Sequence, residues 1–183
     1  MEAPNHGTTM EHSGRLAAFG NQLIEVHLWL REELARLREN VDSHLDGRGE
    51  RPRDLRAHCL TFCSALSRHH TGEDDGGFPV LAERFPELRP VLDELERDHR
   101  LVTDALLKLE RLLGGLAPNP GPAEARHVRA QLDGLAALLE SHFVYEEKRI
   151  VAALNWLNEP NWDTSSPAFL LTTTPGQAGT YPT

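Results

Sequence analysis

Only two cysteines occur in 183 residues, and Cys59 and Cys63 stand four apart in one predicted helix, where adjacent turns give poor disulfide geometry. They are expected as reduced thiols filling small spaces in the core, so no disulfide framework staples the chain. Long hydrophobic runs are also absent: nothing approaches the roughly 20 apolar residues that cross a bilayer as a helix. Basic charge is scarce, with 19 Lys and Arg against 28 Asp and Glu and a formal charge of −9. The cations are interleaved with acids rather than clustered, so a nucleic-acid partner is not expected. The opening residues, MEAPNHGTTMEHSG, show no progression from basic to apolar to small, and without that secretory pattern the expected location is the cytoplasm. No segment alternates with a period of two for long enough to build a sheet. No Gly-rich phosphate loop or dinucleotide fingerprint occurs, and Ser64 and Ser67 near His69 make no catalytic triad.

What is present is an ordinary globular composition, 39% hydrophobic and 26% charged, in a length that suits one domain. Four segments carry helical periodicity. The first runs from about Ser13 to Val41 and gives out in DSHLDGRGERP. The second starts at Pro52, a residue suited to a first helical position, and is expected to end near Asp75 at GGFP. A third starts between Pro86 and Pro90 and stops at Gly114 and Gly115, and a fourth runs from about Pro122 to Leu157. The fold class is therefore all-α: a flexible N-terminus over 1–12, a helical bundle over 13–157, and a Pro-, Thr- and Gly-rich tail over 158–183. In that tail Trp162, Phe169 and Leu170 could dock on the bundle.

Each helix carries an apolar stripe at the three-four spacing of a bundle seam. The stripes are interrupted at His27 in the first helix, His69 and Glu73 in the second, His99 in the third, and His142 and Glu146 in the fourth. A single histidine on such a face is usually a core residue with a local hydrogen bond. Four of them with two glutamates are another matter, because an unpaired buried polar group costs roughly 1 to 3 kcal/mol and a buried carboxylate more. Six inward polar groups need a common partner, and a metal centre supplies one: imidazole offers a nitrogen lone pair, and carboxylates both bind and neutralise a cation.

The spacing repeats. His27 and His69 are 42 residues apart, His99 and His142 are 43 apart, and each His-x-x-x-Glu pair spans four. Two helix hairpins related by a pseudo-twofold axis are expected, with two half-sites and two metals. Within HHTGED, His69 and Glu73 fall on the seam, whereas His70 and Asp74 are rotated about 100° from it. His70 is expected to stand behind the ligands or face solvent, and Asp74 and Asp75 to form a solvated face.

HLWLREEL around His27, HHTGEDDGGFP with His69 and Glu73, ERDHRLV with His99, and SHFVYEEKRI with His142 and Glu146 together resemble the hemerythrin-like family, the HHE cation-binding domain, over about residues 15–155. The resemblance implies an up-down-up-down antiparallel four-helix bundle holding a non-heme di-iron centre, oxo- or hydroxo-bridged, that binds or reacts with dioxygen, peroxide or nitric oxide. These ligand types also accept manganese, alone or paired with iron. It implies His27 and His69 on one iron, His99 and His142 on the other, and Glu73 and Glu146 between them. Oxygen-carrying members have a fifth histidine where this chain has Thr103, a weak ligand, which leaves His70 or Tyr145 as side chains that could fill the place. Fewer protein ligands favour redox reactivity, peroxide-consuming or oxidase-like, over simple oxygen carriage. The alternative is an iron-dependent sensor or interaction module without turnover.

Overall fold

The computed structural model describes residues 19–48 and 52–157; the expected N-terminal segment and C-terminal tail, including Trp162, Phe169 and Leu170, lie outside the described residues. Among the described residues, five α-helices follow in order: α1 (Phe19–Leu45), α2 (Pro52–Gly72), the short α3 (Phe78–Arg84), α4 (Arg89–Gly114) and α5 (Pro122–Trp156). Helices α1 and α4 each pack against both α2 and α5, so the four long helices close a ring with up-down-up-down connections. No strand occurs among the described residues. None of their helices is long and apolar enough to cross a membrane.

Local chemistry sets the helix ends. Past Leu45, Gly47 adopts φ +72°, and the N–H groups of Gly47 and Arg48 return to the carbonyls of His44 and Ser43, a Schellman closure. The first helix thus reaches four residues beyond Val41. Pro122 opens α5 after an extended Gly121, where its missing N–H would have had no intrahelical partner.

GGFP does not end the second helix. The segment Glu73–Gly77 forms a π-turn in which the Phe78 N–H returns to the Glu73 carbonyl, and α3 continues to Arg84. Pro79 explains the change of winding. It has no N–H for the carbonyl four residues back and its ring crowds that carbonyl, and one wider turn absorbs both problems. The helical path stops at Phe85, whose φ of −130° and ψ of 74° lie outside the helical region that is disfavoured for a residue before proline, here Pro86.

The apolar stripes are buried in all four long helices, with Leu23, Leu30, Leu34 and Leu37 in α1, Leu55, Phe62 and Leu66 in α2, Leu95, Val102 and Leu109 in α4, and Val128, Leu132 and Leu139 in α5. The buried apolar residues of the core form two separate clusters. One is built from Val26, Leu30, Leu66, Val102, Leu139 and Phe143 with the residues beyond them, and the other from Leu23, Phe78, Leu81, Leu95, Ile150 and Leu154 with their neighbours. On every long helix the polar seam residues fall at the division between the two.

Candidate metal centre

Between the two apolar clusters, His27, His69, His70, Glu73, His99, His142 and Glu146 form a buried polar layer in which each residue is between 0% and 4% exposed. Donor atoms from His27, His69, Glu73 and Glu146 all lie within 4.8 Å of one another, as do those from His70, His99 and His142. The carboxylates link the two groups. Glu73 Oε1 is 3.4 Å from His69 Nε2 while its Oε2 is 3.6 Å from His99 Nε2. Glu146 Oε2 is 3.3 Å from His27 Nε2 and 3.5 Å from His142 Nε2. The structure therefore brings together the six residues picked from the seams.

It also brings in His70, which does not face solvent. In a ring of four helices the directions from one helix to its two neighbours lie nearly at right angles, so two successive residues about 100° apart can serve both. His69 turns toward His27 on α1, with 3.0 Å between the Nε2 atoms, while His70 stacks on His99 of α4 with centroids 4.0 Å apart and rings 6° from parallel. Thr103 and Tyr145 turn elsewhere. The Thr103 hydroxyl donates to the carbonyl of His99 on its own helix, and the Tyr145 hydroxyl donates to Glu94 at 2.7 Å.

Outer carboxylates orient the imidazoles. His27 donates through Nδ1 to Glu147 Oε1 at 2.9 Å, and His99 donates through Nδ1 to Asp74 Oδ1 at 2.7 Å. His142 Nδ1 approaches Asp98 at 3.7 Å. A neutral ring that donates through Nδ1 presents its Nε2 lone pair inward, the arrangement that carboxylate partners impose on metal-binding histidines. Arg31 holds Glu147 in turn, through Nη1 at 2.9 Å, and also donates through Nε to Glu140. Sequence patterning missed Glu147, Asp74 and Asp98 as members of the site, and Asp74 is not merely a solvated acid. The signal was adjacency: each stands next in sequence to a seam residue, Glu146, Glu73 or His99.

Eight buried atoms of this layer lack a hydrogen-bond partner: both carboxylate oxygens of Glu73 and of Glu146, Nε2 of His70 and of His99, and both ring nitrogens of His142. At roughly 1 to 3 kcal/mol apiece, such orphans would together rival the 5–15 kcal/mol that stabilises a whole domain. Cations answer that deficit, and imidazole nitrogen with carboxylate oxygen is a donor set suited to borderline divalent metals. Where metal–nitrogen bonds run at roughly 2.1 Å, two donors at right angles sit about 3 Å apart, close to the spacings seen here. The residues present fit metal ions.

A family model, the hemerythrin HHE cation-binding domain, matches residues 20–154. The chain belongs to the hemerythrin HHE cation-binding family. No curated protein and no solved structure is significantly similar to it. In this family member burial and the facing charges set the ionisation of the pocket's groups. Burial and the facing charge of Glu146 push the Glu73 carboxyl well above the usual range. Burial also opposes ionisation of Glu146, but contact with His27 and the charges of His27, His142 and His69 hold it at about 2. Burial lowers His70 far below the ordinary imidazole value and lowers His142 as well, favouring neutral rings. For His27 burial works the same way, yet Glu146 and Glu147 outweigh it and leave the ring raised.

Proposed function

We propose that this pocket holds two non-heme iron ions and that the chain binds or reacts there with dioxygen, peroxide or nitric oxide, as a redox-active protein rather than a simple oxygen carrier. The observation that carries this is the pair of buried ligand groups, His27, His69, Glu73 and Glu146 beside His70, His99 and His142, in a layer where eight polar atoms lack a hydrogen-bond partner. His27 and His69 would hold one ion, His99 and His142 the other, with Glu73 and Glu146 shared between them. Bound iron would supply electrons and an acceptor for small oxygen or nitrogen ligands. The chain's own contribution is to orient His27 and His99 through Glu147 and Asp74, to keep the carboxylates available, and to exclude bulk water with an apolar cluster on either side. Ligand groups this deeply buried suit a small ligand. Cytoplasmic location accords with the two unpaired, buried thiols of Cys59 and Cys63.

Metal analysis of the purified chain tests the proposal. Two irons per chain are expected, with charge-transfer absorption after air oxidation, and His69→Ala and Glu146→Ala are expected to lose iron. Unchanged metal content in both variants would remove the basis of the proposal. Consumption of peroxide by the loaded protein supports the redox reading, whereas a ligand-dependent structural change without turnover selects the sensor.

A further inference from the structure

The two halves of the centre can be compared residue by residue. Carrying α1 onto α4 and α2 onto α5 places His27 on His99, His69 on His142, Glu73 on Glu146 and Asp74 on Glu147. The contacts follow the same rule: His27 donates to Glu147, and His99 donates to Asp74. The ring after the second histidine obeys it too. Phe143 stacks on His27 with centroids 4.1 Å apart and planes 19° from parallel, and its mate His70 stacks on His99 at 4.0 Å and 6°. The stacking on the facing histidine is shared, and the chemistry of the ring differs. On one side it is a hydrocarbon. On the other it brings a buried Nε2 that has no partner, in a ring set edge-on to His142 at 5.1 Å.

We propose that His70 is a further ligand to the cation beside His99 and His142, and that Phe143 leaves the cation beside His27 and His69 with one imidazole fewer. The inference rests on the pocket holding two cations. It makes the positions unequal, and it locates the inequality at a single pair of equivalent residues. Packing alone does not require a histidine at position 70, because the other half fills the same stacking place with phenylalanine.

Reciprocal substitution tests it, with iron binding rather than activity as the readout. Wild type, His70→Phe and Phe143→His are titrated with ferrous ion under anaerobic conditions against a competing chelator, and their helical content is checked. Wild type is expected to bind two ions. His70→Phe puts into one half the ring the other half already tolerates, and is expected to stay helical while one of its two affinities falls at least about 10-fold, as loss of a direct ligand should cause. Phe143→His is expected to tighten the weaker of the two wild-type positions. A folded His70→Phe with both affinities within about twofold of wild type, or a Phe143→His that changes neither, overturns the proposal. Should His70→Phe fail to fold, Phe143→His decides alone. Wild type that binds no metal removes the underlying two-cation reading, a failure distinct from a wild type that binds two ions and a variant that does the same.

Discussion

The ring of His27 is held on an edge by Glu147 and on a face by Phe143, and Arg31 joins both restraints, donating to Glu147 while its guanidinium lies 5.1 Å from the centre of the Phe143 ring. Removing the carboxylate frees the ring to rotate and to change tautomer. Glu147→Ala is therefore expected to weaken iron binding by about 10- to 100-fold, with a smaller loss for Arg31→Ala, both read by chelator competition. Unchanged affinity in Glu147→Ala would show that packing alone orients the imidazole. At this scale the sequence was legible where chemistry and period coincide: His27, His69, Glu73, His99, His142 and Glu146 stand on apolar stripes. His70, Asp74, Asp98 and Glu147 stand one position off a stripe. A stripe describes one direction of burial, whereas a helix in a closed ring buries two.

Among the elements, α1 and α5 approach closely at Gly20, whose N–H donates to the Asn155 side chain at 2.9 Å. A Cβ added there would lie 2.5 Å from the Val151 carbonyl oxygen and 2.6 Å from Asn155 Oδ1. The obstacle includes backbone, so Gly20→Ala must push the helices apart, at a cost of about 1–3 kcal/mol. Thermal unfolding should register this as a drop of several degrees, and a melting temperature equal to wild type would contradict the close approach. The four long helices and most of their ends were readable from periodicity, proline and glycine. The π-turn was not, because Gly-Gly-Phe-Pro is ordinarily a stop signal. Whether a proline ends a helix or widens it depends on the packing that holds the following turn, and Phe78 and Leu81 are buried in the second apolar cluster.

Across the whole molecule, a polar layer divides the core, and the stability of that layer should depend on its occupant and on pH. Without a cation, the raised pKa of His27 stabilises the fold below the ordinary value of 6.5, and this contribution is lost as pH rises through the raised value. Cation binding runs in the opposite sense, because an imidazole must be neutral to ligate. Glu146, held at about 2, stays ionised throughout the neutral range and does not alter the trend. The melting temperature of iron-loaded protein is expected to exceed that of chelated protein, and the gap to widen between about pH 6 and about pH 8. A gap that stays constant or narrows would count against His27 as a ligand. The most direct measurement is crystallographic, with anomalous scattering recorded at the iron edge from crystals grown with ferrous ion. Two peaks are expected in the layer between the apolar clusters, one beside His27 and His69, the other beside His99 and His142, with the carboxylates of Glu73 and Glu146 reaching both. A layer without anomalous density, or a single peak that leaves one of the two histidine groups without metal, would contradict the account.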